Sequence, residues 1–263
     1  MKKKFNEEYI VAEYLKGRHT VDIANELGTY NTSIRRVLLR NNITLRTSYD
    51  YWKQRENSFK DYTDKTVQYW LGLLAADGNL SKSSNRVVLE LQEKDAYLVK
   101  KFAKFTNSKV KQVYSKAFDC YECRCSFKDK DIHTTLSGYG VVPMKSKILE
   151  MKIPITFDFI RGVIDGDGSV GSQPNNRVKV TIATASTIFK QQIVNFLEDN
   201  NIHCTVYSNK SLHIIGVYSQ DAILKLYHHL YNGSSLYLKR KKEKYGPLLK
   251  KFKKMQHPQI QGT

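Results

Sequence analysis

Between residues 7 and 42, hydrophobic residues recur at helical spacing in three short segments. We expect Asn6 to cap the first helix and Thr20 to cap the second, which Gly28 ends. Thr32 is expected to open the third. In the first helix the hydrophobic residues at helical spacing are Ile10, Val11, Tyr14 and Leu15, and in the third helix Ile34, Val37 and Leu38 are expected to face inward.

The second and third helices have the spacing of a helix-turn-helix. A small residue at Ala24 lets two helices touch, Gly28 makes the turn, and Ile34 and Val37 anchor the second helix of the pair. The segment resembles the helix-turn-helix of resolvases and of phage-encoded DNA-binding proteins, and a generic three-helix bundle is the alternative. The residues expected to meet base edges and phosphates are Tyr30, Asn31, Ser33, Arg35 and Arg36.

The chain from residue 67 onward contains strand patterns, in which hydrophobic and polar residues alternate over 86–92, 121–128 and 177–182. Such strands predict sheets with one buried and one polar face. A polar face that carries basic residues suits DNA, although a half-buried sheet with a solvated face predicts the same alternation. The outward residues expected to contact DNA are Arg86, Glu90, Arg124, Arg177, Lys179 and Thr181.

The chain also repeats itself, since the block 69–78 is matched by 159–168. Similar strand patterns follow both copies, and each unit is predicted as helix, strand, strand, helix, strand, strand, helix. The expected fold class is α+β. We expect two pseudo-symmetric αββαββα halves in one chain, preceded by a small all-α helix-turn-helix domain. The expected boundaries are 1–47 for the helical domain, 48–66 for a linker, 67–152 and 153–254 for the two halves, and 255–263 for a tail.

Charge narrows the possible functions. The 263 residues contain 43 Lys and Arg against 25 Asp and Glu, a formal charge of +18, which favours a polyanionic partner such as nucleic acid. No apolar run is long enough to span a bilayer, and no apolar segment follows the basic N-terminus as a secretory signal would require. The four cysteines are expected to be reduced core residues rather than a disulfide framework or a zinc site.

The repeated blocks contain the residues for catalysis. Small residues four apart, Gly72 with Ala76 and Gly162 with Gly166, let two helices pack at short distance. An aspartate then ends each helix, before a glycine expected to take a left-handed turn, Gly78 or Gly168. Two carboxylates at helix C-termini oppose the macrodipole and repel each other, so divalent cations between them are expected. Plain helix packing with solvated aspartates is the alternative. The two aspartates are Asp77 and Asp167.

Both blocks resemble the LAGLIDADG motif, and the repeat resembles a single-chain LAGLIDADG homing endonuclease from residue 67 to about 254. The resemblance implies that the motif helices form the interface between the halves and that the final motif acids bind metal. It implies a basic residue near each site, for which Lys145 and Lys241 are our choices, with Lys147 and Lys239 as the nearest alternatives. The implied metal positions are Asp77, Asp167, Ala76 and Gly166.

Two smaller features complete the implied site. Gln92 matches a polar residue that positions water in relatives, and its counterpart is expected at Ala183 or Thr184. The first motif has Ala75 where the second has Asp165, at a position that is not catalytic in the family. The segment 238–254 is expected to form one closing amphipathic helix with a basic face.

The expected function is site-specific, Mg²⁺-dependent cleavage of both strands of a long asymmetric DNA target, with Mn²⁺ able to substitute, and the family resemblance implies that the cut leaves short 3′ overhangs. The helical domain would extend the footprint, and a monomer is the expected active form. The alternatives are a non-cleaving DNA-binding regulator and an RNA-binding intron maturase, for which intron RNA would be the partner. The expected location is the cytoplasm of a bacterial or phage-infected cell, with an organelle as the alternative.

Overall fold

The computed structural model describes residues 6–46, 56–116 and 119–256. The chain divides into two compact units, 1–54 and 55–263. Residues 48–55 of the predicted linker and 257–263 of the predicted tail lie outside the described residues. Among the described helices, none combines the length and the apolar composition needed to cross a membrane.

The first unit contains three helices around one core. They are α1 (Glu7–Leu15), α2 (Thr20–Glu26) and α3 (Asn31–Arg40). Asn6 caps α1 as predicted, and Gly28 has the left-handed φ of 58° between α2 and α3. The predicted cap at Thr20 is wrong, and the third helix opens at Asn31, one residue before the predicted Thr32. Both threonines lie inside helices, which begin after His19 and Tyr30, because the extended backbone of those residues starts the helix without a side-chain cap. The core residues are Ile10, Tyr14, Ile23, Ala24, Ile34, Val37 and Leu38.

The second unit contains two copies of the predicted αββαββα arrangement. The first is α4 (Lys65–Ala76), β1 (Gly78–Leu80), β2 (Arg86–Gln92), α5 (Ala96–Phe105), β3 (Val110–Ser115), β4 (Cys120–Lys128) and α6 (Lys130–Gly138). The second is α7 (Phe157–Gly166), β5 (Gly168–Gln173), β6 (Arg177–Thr184), α8 (Thr187–Asp199), β7 (Thr205–Ser208), β8 (His213–Val217) and α9 (Gln220–Tyr231). The expected α+β fold class with two equivalent halves is therefore confirmed.

Each half forms one antiparallel four-stranded sheet, in the order β1-β2-β4-β3 and β5-β6-β8-β7. The predicted alternation holds along the central strands, since Val87, Leu89 and Leu91 are buried while Arg86 and Gln92 are exposed. The hydrophobic side chains of each sheet pack against its own helices, so the other face is left for polar and charged groups.

The chain just before α4 is folded into the second unit, so the linker interpretation does not hold for residues 56–66. Phe59 is fully buried and packs edge-on against Phe105, with 5.3 Å between ring centroids. Asp64 caps α4, which begins at Lys65. A polar segment with one buried aromatic residue has no period, and the sequence pattern therefore could not separate this region from a tether.

The glycines that follow the aspartates do not take the left-handed turn that we expected. Gly78 and Gly168 are absent from the positive-φ residues and begin strands β1 and β5. A Cβ atom would lie 2.5 Å from the carbonyl oxygen of Leu74 at Gly78, and 2.6 Å from the Cα of Ile164 at Gly168. These glycines are needed because the strand turns back closely over its own helix.

The C-terminal segment 238–254 forms two helices rather than the single one predicted. These are α10 (Lys239–Glu243) and α11 (Gly246–Gln256). Pro247 explains the break, since proline lacks an N–H donor and is accommodated only in the first turn of a helix. The short α10 thereby becomes a separate element whose position can be set independently of α11.

Candidate active site

The two motif helices, α4 and α7, pack with their backbones in contact. A Cβ atom at Gly72 would lie 2.0 Å from the carbonyl oxygen of Phe159, and one at Gly162 would lie 2.2 Å from that of Tyr69. Distances this short leave no room for any side chain at either glycine. The predicted close helix pair is therefore confirmed, and its C-terminal ends are held side by side.

Each motif helix ends at one of the predicted aspartates. Asp77 caps α4 and Asp167 caps α7, and both residues are exposed to solvent. A Cβ atom at Gly166 would lie 2.3 Å from the Cβ of Ala76 and 3.2 Å from a carboxylate oxygen of Asp77. The carboxylate of Asp77 therefore stands against the opposite helix. Both aspartates lie at the negative ends of their helix dipoles.

The electrostatic environment at the helix ends disfavours ionisation of both Asp77 and Asp167 in the absence of a cation. Partial withdrawal from water at the helix interface, and secondly the charge of Asp167, raises the pKa of Asp77 to about 6. The same withdrawal from water raises the pKa of Asp167. Solvent still reaches both groups. A divalent cation would offset the repulsion and could enter from solvent.

The donor set fits Mg²⁺ bound together with substrate. Within 6–46, 56–116 and 119–256, no cluster of three or more His, Cys, Asp or Glu could hold a metal by itself. Mg²⁺ commonly takes one or two protein carboxylates and completes its shell with water and substrate phosphates. Asp77 and Asp167 match that pattern. The predicted contributions of Ala76 and Gly166 stay predictions, although both residues lie at the same helix ends.

The structure brings Lys145 and Lys241 to the ends of the motif helices. The ammonium group of Lys145 donates to the carbonyl oxygen of Gly78, and that of Lys241 donates to the carbonyl oxygen of Gly168 at 2.6 Å. The two lysines therefore make equivalent contacts with the residues that follow the two aspartates. Their catalytic roles stay predictions.

The nearest alternatives lie elsewhere. Lys147 is exposed, and the Nζ of Lys239 lies 5.1 Å from the ring centroid of Tyr97. Partial withdrawal from water lowers the pKa of Lys145, and burial lowers that of Lys241 to about 8. With a pKa of about 8, Lys241 could exchange a proton close to neutral pH.

Both lysines act on both aspartates. The positive charges of Lys145 and Lys241 lower the pKa of Asp77 and that of Asp167, against the opposing effect of burial. Each lysine also contacts the carbonyl oxygen of the glycine that follows the aspartate of its own half. The two aspartates and the two lysines therefore form one group of four charged side chains at the ends of the motif helices.

The comparisons with known proteins agree with this geometry. Residues 155–236, within the second half, match the family model described as LAGLIDADG-like domain. The structure resembles the homing endonuclease I-WcaI bound to its DNA recognition sequence, with a TM-score of 0.55, 17% identity, and coverage of 78% of this chain and 96% of that chain. The chain has the LAGLIDADG endonuclease fold.

Two further solved structures share this fold at lower identity. The meganuclease I-SmaMI, bound to uncleaveable DNA, gives a TM-score of 0.52 at 10% identity and covers 73% of this chain and 90% of that chain. The LAGLIDADG meganuclease I-AabMI, bound to uncleaved DNA, gives 0.51 at 13% identity and covers 73% and 91%. No curated protein sequence matches the chain.

The two LAGLIDADG halves differ in the register of their first hairpins. Gly78 pairs with Leu89 in the first sheet, whereas Gly168 pairs with Ile182 in the second. The second hairpin is therefore longer than the first. Because of this difference, sequence similarity alone does not align the ends of β2 and β6.

The hairpin difference corrects the expected counterpart of Gln92. Gln92 lies three positions beyond the paired residue 89, and Ala185 lies three positions beyond the paired residue 182, so the counterpart is not Ala183 or Thr184. Gln92 is exposed, whereas Ala185 is half-buried and has no polar side-chain atom that could orient water. The two sites therefore differ in their polar neighbours.

The polar faces of the two sheets differ in free charge. Arg124 makes a two-point contact with Glu90, in which Nε and Nη2 each lie 2.8 Å from a carboxylate oxygen. Glu90 therefore neutralises the charge of Arg124, a basic side chain that was expected to contact DNA. Arg86 donates to Ser126. The second sheet presents its predicted residues more openly: Arg177 and Lys179 are exposed, and Thr181 is half-buried.

In the first unit, the residues predicted to contact DNA share the start of α3. Tyr30 is 82% exposed, and Arg35 and Arg36 are also exposed. Asn31 and Ser33 are half-buried, and the side-chain oxygen of Asn31 is enclosed by protein. These last two residues therefore present less to a ligand than the sequence predicted.

Sequence patterns did not indicate three hydrogen bonds that hold the region of α10 against the first half. The segment before α10 is fastened to the first half by Tyr97, whose hydroxyl donates to the carbonyl oxygen of Tyr237 and accepts from the backbone N–H of Lys239, both at 2.8 Å. Arg240 also contacts the buried Asp95, with Nε 2.9 Å from the carboxylate. These bonds join residues far apart in the chain, which no local pattern can indicate.

Proposed function

We propose that this protein is a divalent-metal-dependent endonuclease that cuts both strands of a long, asymmetric DNA target. The observation that carries the proposal is the pair of solvent-accessible aspartates at the ends of two backbone-packed helices, with a lysine in contact with the glycine that follows each aspartate. Nucleases that hydrolyse phosphodiesters by in-line displacement use this type of carboxylate pair.

In this proposal, Asp77 and Asp167 hold Mg²⁺, for which Mn²⁺ substitutes. The metal would supply charge stabilisation for the attacking and leaving oxygens of the phosphodiester. Lys145 and Lys241 place positive charge beside each scissile phosphate and orient the attacking water through hydrogen bonding. One cut in each strand, offset across the minor groove, would leave the short 3′ overhangs that the family resemblance implies.

Binding and sequence selection belong to the two sheets. The polar faces lie on separate halves with different residues, so an asymmetric target is expected rather than a palindrome. Arg177 and Lys179 would contact phosphates or base edges in one half-site, and Arg86 in the other. Because both halves occur in one chain, the active form is proposed to be a monomer.

The test starts from a pool of random DNA duplexes. Purified protein would capture its preferred sequence in Ca²⁺, and the recovered duplex, labelled on each strand, would be incubated with protein in Mg²⁺, in Mn²⁺ and in EDTA. We expect one cut per strand in Mg²⁺ and Mn²⁺ and none in EDTA. Tight binding without a cut in either metal would instead identify a non-cleaving regulator. Stronger capture of structured RNA than of DNA would favour the maturase alternative.

The first unit is proposed to add affinity through flanking DNA, as a helix-turn-helix would. Replacing Arg35 and Arg36 together by alanine should weaken binding roughly tenfold near 0.1 M salt, and should reduce the slope of log affinity against log salt by about two, because two phosphate contacts are lost. Filter binding over a salt series would measure both values.

The matched control for this experiment is Arg40→Ala. Arg40 lies on the same helix but pairs with Glu7, with 3.2 Å between the charged atoms, so its loss should leave the salt slope unchanged. An unchanged slope in the double variant would show that α3 does not face the DNA backbone.

A further inference from the structure

Asp165 is a buried carboxylate that the proposed metal site does not use. It lies in α7 two residues before Asp167 and is 1% exposed, whereas the equivalent position in α4 is Ala75. One oxygen of Asp165 accepts from the hydroxyl of Tyr69 on α4 and from the backbone N–H of Leu238, both at 2.8 Å. This side chain therefore joins three elements: both motif helices and the residue that precedes α10.

The element joined by Asp165 carries one of the two site lysines. Leu238 is the N-cap of α10, and Lys241 follows three residues later, one helical turn away. Lys241 is 5% exposed. Its ammonium group lies within 2.9 Å of four carbonyl oxygens, which belong to Ile164, Asp165, Gly166 and Gly168. Asp165 holds the residue just before this short helix, while Tyr97 contacts the residues on either side of it, and together these bonds set where the lysine lies.

Among the described residues of the first half, no side chain at the position equivalent to Asp165 anchors Lys145 in this way. Ala75 cannot accept a hydrogen bond through its side chain, and Lys145 stands in a 3-10 turn that follows Met144, which has the left-handed φ of 54°. For Lys145, the contact with Gly78 is the hydrogen bond that the described residues show. The two lysines thus occupy equivalent places but are held there in different ways.

We propose that Asp165 is a positioning residue that holds the start of α10 against both motif helices and thereby keeps Lys241 in place. The strand cut at the site of Lys241 then depends on Asp165, and the strand cut at the site of Lys145 does not. This inference rests on the proposed endonuclease function, but its structural part can be measured without cleavage.

The first experiment resolves cleavage by strand, on the duplex selected above. Lys241→Ala identifies the strand that relies on that lysine. Asp165→Ala should slow the same strand at least tenfold and change the other less than twofold, and adding Lys241→Ala should cause no further loss. Asp165→Asn retains an acceptor oxygen and should restore the rate to within about threefold of wild type. An equal loss on both strands would mean a general structural role and would overturn the inference.

The second experiment uses protein without metal or DNA. Trace acetylation with acetic anhydride, followed by mass spectrometry, measures the reactivity of each lysine. Asp165→Ala should make Lys241 at least fivefold more reactive and leave Lys145 unchanged. We expect the alanine variant to fold, because alanine occurs at the equivalent position of α4. If it does not fold, Asp165→Leu is the second variant, since the leucine side chain has nearly the same shape as that of aspartate.

The two experiments separate the possible failures. If wild-type protein cuts no DNA but Lys241 becomes reactive in the variants, the endonuclease proposal fails while the positioning role stands. If the wild type cuts DNA and Lys241 keeps its low reactivity in folded Asp165→Ala and Asp165→Leu proteins, the positioning role is excluded.

Discussion

Replacing Asp77 or Asp167 by asparagine is expected to slow double-strand cleavage by roughly a thousandfold, which corresponds to about 4 kcal/mol of lost transition-state stabilisation. The amide keeps the size of the side chain but removes the charge that would hold the cation between the helix ends. DNA affinity in Ca²⁺-free buffer should change less than about threefold, because the phosphate contacts of the sheets are untouched. Single-turnover cleavage and filter binding would measure the two quantities.

The matched control is Asp199→Asn. Asp199 is exposed and ends α8, so the substitution makes the same chemical change at another helix C-terminus. It should leave the cleavage rate unchanged. Full cleavage by both Asp77→Asn and Asp167→Asn would remove these aspartates from the metal site. Loss of DNA binding together with cleavage would point to misfolding instead.

The stability of the metal-free variant separates those outcomes. The folded-state pKa of Asp77 is raised to about 6, above the value of about 4 for an aspartate in an unfolded chain, so ionisation favours unfolding. The penalty is absent below about pH 4 and complete above about pH 6. Asp77→Asn protein without metal should therefore melt no lower than wild type at pH 7.5, and the two should converge in acid.

Much of this fold could be predicted because its two signals are local. A block with small residues four positions apart and a terminal aspartate occurs twice, and strand alternation follows each copy, as along Arg86–Gln92 and Arg177–Thr184. Local periodicity also located three helices in the first unit. What periodicity could not supply was the exact start of each helix, which depends on backbone geometry at residues such as His19 and Tyr30.

The candidate site was harder to predict because it depends on packing between distant segments. The aspartates could be named from the motif, whereas the choice among lysines at 145, 147, 239 and 241 depends on which side chains reach the helix ends. The counterpart of Gln92 was misplaced because hairpin length, and not sequence similarity, sets the register of β5 with β6. Tyr97, which contacts Tyr237 and Lys239 at the start of α10, and Asp95, which contacts Arg240 within α10, carry no sequence signal.

Placing a side chain at the helix contact should have the largest effect on stability. Gly162→Ala would put a Cβ 2.2 Å from the carbonyl oxygen of Tyr69, which is backbone and cannot rotate away. We expect a loss of about 3 kcal/mol or more in the free energy of unfolding, and a melting temperature lower by roughly 10 °C. Urea and thermal unfolding followed by circular dichroism would measure both values.

Gly138→Ala is the control that makes this result specific. Gly138 also lies in a helix, but a Cβ there would meet no atom within 4 Å, so alanine should be neutral or should stabilise by up to about 1 kcal/mol. Equal stability of the Gly162 and Gly138 variants would mean that α4 and α7 are further apart than described. The aspartates at their ends could then not share a cation, since the same backbone contact that forbids a side chain at Gly162 sets the separation of Asp77 and Asp167.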